Sequence, residues 1–468
     1  MTGPSPPCST AVRPFMLACC LGMCGCSSDG GWGNPERVVR ADDFDAPSLF
    51  GGSSRTALAV WRESNPDPAV ERQLESGLIG RWHRSGGWRE FSVIDDYAGD
   101  NFREPMAAVN SAGSALVTWP VLGPADSEDA ARIGIFARRY VEGEGWAETE
   151  QVGRAFSGRG YAPPRAALTP TGRGFVVYAS ESGREVQTFV TEFDPEEGWL
   201  DPVGFTCDAC WLGAVQLFAV GASGADEVTV VYSSIDSIHV RRYARTTGWS
   251  EPLTLGGAPL GLPELAISAA GVVWAYWPTS TTRELVCPSV TKTTPSGWED
   301  LTVLAPNCQG VAGAVGAFGA FAIDDSGGAI TIWSETIEGR AETRFSRYAE
   351  GSGWSTPEVM PVGQGFGGTR IAVTMLQDQR AAALWYRLRD SMPATTATRV
   401  WGSYFEPTEG WAEPTLISQD GPTLTQTNPP EIVGFPSGRA LGLYRITLER
   451  NRNGVPIPVT FLWSSEFR

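Results

Sequence analysis

A Gly-Trp dipeptide recurs eight times along the chain, with its tryptophan at Trp32, Trp88, Trp146, Trp199, Trp249, Trp298, Trp354 and Trp411. The spacings are 56, 58, 53, 50, 49, 56 and 57 residues. Self-similarity at such a period marks one supersecondary unit copied many times, each copy needing its neighbours to bury its apolar face. Six residues before the Trp, from the second copy onward, stand Trp82, Tyr140, Phe193, Tyr243, Lys292, Tyr348 and Phe405, an aromatic in every copy but one. Six residues after it stand Val38, Ile94, Val152, Phe205, Leu255, Leu304, Met360 and Ile417. A step that never changes predicts a hairpin whose turn is never lengthened.

Upstream of each hairpin lies an apolar strand ending in an aromatic, as in Ala57-Leu58-Ala59-Val60-Trp61 and Ala329-Ile330-Thr331-Ile332-Trp333; Trp119, Tyr178, Tyr232, Trp277, Trp385 and Tyr444 hold the same place elsewhere. A shorter apolar strand precedes it across a tight turn such as Asn110-Ser111-Ala112-Gly113 or Asp325-Ser326-Gly327. Each repeat therefore supplies four strands, a to d, with d opening at the Gly-Trp. Proline three residues after the Trp in five copies (Pro35, Pro202, Pro252, Pro357, Pro414) makes d an outer edge, because proline cannot donate to a ladder. Strand b is apolar on both faces, so it is central and packed between neighbouring sheets.

Four-stranded sheets at this period predict an all-β chain, a β-propeller of antiparallel blades. Length alone would suggest about three domains, but the repeat makes residues 32–468 one ring. The 55 Gly, 34 Pro and 42% apolar residues suit a turn-rich β chain with a large core. Trp463 matches the strand-c aromatic of the last repeat, and its Gly-Trp partner would fall one residue beyond Arg468. Gly31-Trp32-Gly33-Asn34-Pro35-Glu36-Arg37-Val38 has the strand-d pattern with no a, b or c before it. The N-terminal strand is thus expected to complete the C-terminal blade, giving eight blades; seven blades is the alternative.

Residues 1–25 read as a leader: Arg13, a short apolar run Phe15 to Met23, then small residues. That run is too short for a membrane span, which needs about 20 residues. Met23-Cys24-Gly25-Cys26-Ser27-Ser28 resembles the lipobox of bacterial lipoproteins. The resemblance implies cleavage before Cys26, acylation of that cysteine, residues 26–31 as a tether, and an outer-membrane lipoprotein on the periplasmic side or the cell surface. An ordinary cleaved signal peptide is the alternative.

The formal charge of −17 grows by one when the leader's Arg13 is removed, and such a surface disfavours nucleic acid. Cys207, Cys210, Cys287 and Cys308 remain beyond Cys26; in an exported chain they suggest two disulfides, with Cys207–Cys210 and Cys287–Cys308 the favoured pairs. A redox Cys-Asp-Ala-Cys is the alternative for the first, against which no helix pattern follows Cys210. Acidic groups Asp42-Asp43-Asp45, Asp95-Asp96-Asp100 and Asp126-Glu128-Asp129 could offer oxygen ligands to Ca²⁺, but none shows an ordered ligand pattern, and solvated loop carboxylates explain them as well. His83, placed in a c-to-d turn, and His239, in a strand c, have no ligand partner at a suitable spacing.

The d-to-a and b-to-c loops, which share one face, vary in length, and variable loops on a rigid scaffold are where binding or catalysis resides. Trp211 and Tyr161 lie in such loops, off the repeat register, and are candidates for stacking on a glycan. The turn Asp324-Asp325-Ser326-Gly327-Gly328 followed by Trp333 partly resembles the Asp-box of sialidases. The mature chain as a whole resembles repeat-containing bacterial surface lipoproteins, which implies a fold and a location and no catalytic residues. The leading expectation is a monomeric, lipid-anchored, non-enzymatic propeller binding a protein or glycan. A sialidase-like glycan hydrolase or lyase, needing two carboxyl groups and several Arg at the channel mouth, comes second, and a structural envelope protein third.

Overall fold

The computed structural model describes residues 31–41, 44–52, 56–64, 76–85, 87–96, 104–122, 133–154, 163–182, 185–205, 218–224, 226–234, 236–257, 259, 261, 263–282, 285–305, 319–337, 340–362, 371–388, 398–418, 430–452 and 455–468. Strand b of blades 1 to 8 is Ala57–Ser64, Ala115–Val121, Gly174–Ser182, Glu227–Ser233, Val273–Thr282, Ala329–Ile337, Ala381–Leu388 and Ala440–Arg452. Each is flanked by strand a on one side and strand c on the other, all antiparallel, with d paired only to c. All eight aromatics closing strand b are buried, among them Trp61, Trp119, Trp277 and Trp385, each with no exposed surface. Packing between blades fixes them there.

Strand a of the eight blades is Phe44–Gly51, Met106–Val109, Arg165–Leu168, Phe218–Ala222, Glu264–Ile267, Ala320–Ile323, Ile371–Met375 and Glu431–Gly434. Each lies against the strands a of both neighbours, and blade 8 lies against blade 1, so the eight form a closed inner ring. The last blade is split between the termini: Glu36–Ala41 pairs with Val455–Phe467, with Glu36 opposite Ser464 and Arg37 opposite Trp463.

Closure uses a different residue from the one expected. Ala440 opposes Phe467, as Ala115 opposes Tyr140 and Ala381 opposes Phe405, so Phe467 is the strand-c aromatic of blade 8. Trp32 bridges to Phe467 and packs edge-on against it at 5.6 Å. Trp463 instead opposes Tyr444, the place Phe136 holds opposite Trp119. The partner six residues on would thus lie further past Arg468 than the sequence count gave, and the N-terminal Trp32 fills that place. Gly402 and Gly442 make room for its indole: a Cβ on Gly402 would come within 2.6 Å of Nε1, and one on Gly442 within 3.4 Å of Cζ3.

In five blades the Gly-Trp pairs as its six-residue step predicts, for example Tyr140 with Trp146 and Phe405 with Trp411. In blades 1 and 5 the partner is one residue later: His83 opposes Trp88 and Thr293 opposes Trp298. His83 therefore sits in strand c, not in the turn. In blade 5 a cation stands in the aromatic's place, whereas in blade 1 Trp82 keeps that place against Tyr140 at 4.9 Å and a cation joins it. Arg84 lies over Trp82 and Tyr140 and pairs with Glu142. Lys292 stands 4.4 Å from the Tyr348 ring and donates to the Tyr348 hydroxyl (2.6 Å) and to Glu350 (3.1 Å).

Strand d is continuous in blade 1 (Gly87–Asp95) but broken after the Gly-Trp in blades 2 to 7, including blades 2 and 5, which lack the proline. The break frees the carbonyl of the residue after the Trp from the strand ladder, and a side chain becomes its donor. The residue two before strand c's pairing partner supplies it in five of these blades, and also at the bulge in the continuous strand d of blade 1. Arg81, Arg138 and Arg241 donate Nε to the carbonyls of Arg89, Ala147 and Ser250 at 2.6, 2.5 and 2.7 Å. Thr291, Ser346 and Ser403 donate hydroxyls to those of Glu299, Ser355 and Ala412 at 2.7, 2.8 and 2.6 Å. Arg138 also reaches the Ile94 carbonyl of blade 1 at 2.7 Å, joining two blades.

Candidate functional site

Strand a enters from the variable d-to-a loop, so its first residues stand at the loop end of the ring. The position opposite the residue that precedes the strand-b aromatic is Ser48, Met106, Arg165, Ala219, Glu264, Ala320, Ala372 and Glu431 in blades 1 to 8. Five are small or apolar and three are charged. A short strand at the centre of a ring carries these three, from blades 3, 5 and 8, to a common channel mouth. Glu104, two residues before Met106, adds a fourth charge from blade 2.

The four are electrostatically coupled. Enclosure by protein pushes the Glu264 carboxyl up to about 7, with Arg165 pulling the other way. Enclosure likewise pushes Glu431 up to about 8, reinforced by Glu264 and Glu104 and opposed by Arg165. Both carboxyls still meet channel solvent, Glu264 being exposed and Glu431 half-buried. Enclosure, and for Glu431 the like charges of Glu264 and Glu104, hold both carboxyls above the usual carboxylate range.

The wall behind them is scaffold. Tyr276, opposite Glu264, is buried, stacked on Phe321 at 5.4 Å, and its hydroxyl is held protonated first by burial and then by Glu264. Tyr386 is buried and donates to the Arg445 carbonyl at 3.4 Å. Neither presents a nucleophile to the channel.

Of the candidates from sequence, Cys26, Cys207, Cys210, Cys308, Trp211, Tyr161, Asp42, Asp43, Asp100, Asp126, Glu128 and Asp129 lie outside the described residues. Cys287 is fully buried in strand c of blade 5 and is disulfide-bonded, its partner lying outside the described residues. Asp45 stands in strand a and Asp95 in strand d of blade 1, with Asp96 just beyond. Strands b and c separate Asp45 from Asp95 by about 14 Å at the usual strand spacing. Among the described residues no group of three His, Cys, Asp or Glu side chains could hold a metal ion.

Asp324 of the Asp-box-like turn accepts the N–H groups of Ser326 (3.0 Å) and Gly328 (2.8 Å), as Asn110 does for Ala112 and Ser114, so it holds an a-to-b turn. Trp274 and Trp401, off the repeat register, are also scaffold: Trp274 packs on Tyr348 and Trp354, and Trp401 opposes Trp385. His83 lies 3.3 Å from Glu466 at the closure seam, its proton affinity lowered by burial. His239 bonds Ser234 and Thr254.

No family model matches the chain. No curated protein matches it either. Solved structures similar to it include a protein of unknown function from Dyadobacter fermentans, 11% identical over 94% of this chain and 99% of that one, with a TM-score of 0.40. The Aleuria aurantia lectin is 13% identical over 70% and 99%, with a TM-score of 0.38. The leech intramolecular trans-sialidase is 11% identical over 88% and 82%, with a TM-score of 0.37. The fold assignment rests on the chain's own strand order, and nothing functional is carried over from these structures.

Proposed function

We propose that this protein is a binding propeller that takes a glycan or protein ligand on its variable-loop face, with Arg165, Glu264 and Glu431 as the polar centre of the site. The observation that carries this reading is their convergence: three charged residues, two or three blades apart, occupy a position that is small or apolar in the other five blades. Concave sites with a few convergent polar groups are the usual seats of ligands. A glycan-array screen of the full chain tests it. Ligands retained by the wild type are expected to be lost from the Arg165→Ala/Glu264→Gln/Glu431→Gln variant, and unchanged retention contradicts the reading.

A glycan-active hydrolase is the second reading, favoured by one feature: enclosure raises the Glu264 and Glu431 carboxyls above the usual range, the direction that an acid catalyst needs. Hydrolysis of an array ligand, abolished by Glu431→Gln, would support it.

Lipid anchoring at Cys26 belongs to the same proposal. The Gly31 N–H donates to the Arg468 carbonyl at 3.0 Å, which puts residue 31 at the end of strand c in blade 8, on the short-turn face. An anchor close before it would hold that face toward the membrane and leave the channel mouth outward. Labelling of intact cells that reached the short turns and spared the long loops would overturn this orientation.

A further inference from the structure

The ring closes where three stretches of chain meet, and Glu466 touches all of them. Its carbonyl accepts the Gly33 N–H at 2.7 Å, which ties in the N-terminal segment. Its carboxylate takes Arg468 at 3.1 Å and lies 3.3 Å from Nε2 of His83, on strand c of blade 1. Close by, Trp88 of blade 1 donates its indole N–H to the Ser464 hydroxyl at 2.8 Å. His83 also holds a position that marks the seam. The residue opposing the Gly-Trp is Tyr140, Phe193, Tyr243, Tyr348, Phe405 or Phe467 in six blades and Thr293 in blade 5. Histidine stands there only in blade 1, against the blade that the termini close.

The place suits a neutral imidazole and not a charged one. The ring is buried, edge-on to Trp88 at 5.2 Å, and His83 is paired with Ala57 on strand b. A carboxylate can only accept, so the neutral ring carries its proton on Nε2, toward Glu466. Nδ1 is buried with no hydrogen-bond partner, so a second proton would create an enclosed N–H without an acceptor on a charged ring. Burial lowers the ring's proton affinity, and Glu466, part-exposed and shared with Arg468, offsets this only in part. The other charged residues on the strands packed here are Arg81 and Arg84 of strand c, Arg89 and Glu90 of strand d, and Glu36 and Arg37 of the N-terminal strand. Arg81 donates to the Val38 and Arg89 carbonyls, and Arg84 turns away to Glu142 of blade 2.

We propose that His83 is an acid-sensitive latch of the ring, whose protonation loosens the seam between blade 1 and blade 8 and frees the N-terminal strand. In an opened seam, water reaches both ring nitrogens and the imidazole regains its ordinary proton affinity, near 6.5. The proton therefore binds the open seam more tightly than the closed one. Closure is fully supported above 6.5 and weakens as pH falls below it, through the lowered value of the closed ring.

The test combines amide exchange with imidazole NMR on the full chain. The sequence has 2 histidines, so His239→Gln leaves His83 as the only imidazole signal, and it is expected to titrate below 6.5. Exchange in Glu36–Ala41, corrected for the intrinsic effect of pH, is expected to rise about fivefold from pH 7.5 to pH 5.5, under the tenfold that one proton allows over one pH unit. His83→Gln keeps a donor for Glu466 and cannot titrate, so the rise should vanish. Glu466→Gln removes the charge that favours the protonated ring, so the rise should grow, which a merely structural contact would not produce. A His83 signal that titrates at or above 6.5, wild-type exchange that stays level with pH, or an equal rise in His83→Gln overturns the proposal. If His83→Gln does not fold, the His239→Gln chain still decides, because its seam must loosen only below 6.5 and in step with the His83 signal.

Discussion

At the scale of single residues, the side chains that look interchangeable along the repeat do different jobs. The residue two before strand c's pairing partner is Arg81, Arg138, Arg241, Thr291, Ser346 or Ser403, and in all six blades it donates to the carbonyl of the residue after the Gly-Trp, at the break of strand d in five and at a bulge in blade 1. An arginine there reaches further than a hydroxyl. Arg138 holds three carbonyls, two of them in the next blade. Arg138→Met keeps the aliphatic stem and removes the donors, so it is expected to cost about 1–2 kcal/mol in urea unfolding. Ser403→Ala, which removes one bond, is expected to cost less than half of that. None of this was legible in the sequence, because three unlike residue types meet one geometric need, and a pattern search keyed on apolar residues passes over them.

At the scale of elements, the aromatic that closes strand b and the Gly-Trp that opens strand d were readable because burial between blades tolerates few alternatives there. The closure register was read four residues away from where it lies. Trp463 and Phe467 are both aromatic and both on strand c, and only the cross-strand partners, Tyr444 and Ala440, tell them apart. The mouth charges were visible as residues but not as a group, since Arg165, Glu264 and Glu431 stand two or three repeats apart. The signal that finds them is a comparison of the first aligned position of strand a across all eight blades. A prediction belongs here too. Gly402 gives Trp32 its seat, so Gly402→Ala should displace the indole and cost about 1–3 kcal/mol by overpacking. Faster proteolysis of the N-terminal strand would report it.

At the scale of the whole molecule, closure makes one ring from eight sheets, and the ring makes one mouth from residues distant in sequence. Glu36 and Ser464 are directly opposed across the seam, so the Glu36→Cys/Ser464→Cys variant should oxidise spontaneously. A crosslink spanning so long a loop should stabilise by about 3–5 kcal/mol. A pair that stays reduced would place the termini in separate blades. Proton binding at the mouth also leaves a mark on global stability. Glu264 and Glu431 have carboxyls raised from 4.5 to about 7 and about 8, so between pH 4.5 and 8 the folded chain holds protons that the unfolded chain has released. Their contribution is fully present below 4.5 and is lost as pH rises through 7 and 8. Channel water screens both groups, so the glutamine double variant is expected to gain about 1 kcal/mol at pH 8.5 rather than the full linkage value.

Thermal unfolding of the wild type and Glu264→Gln/Glu431→Gln from pH 5 to 9 tests the mouth most directly, because it needs no ligand. The wild type is predicted to lose stability relative to the variant as pH rises, with the difference developing between pH 5 and 8 and levelling above. Two curves that run parallel across the whole range would mean that the carboxyls do not share an enclosed mouth, and the proposed site would fall with them.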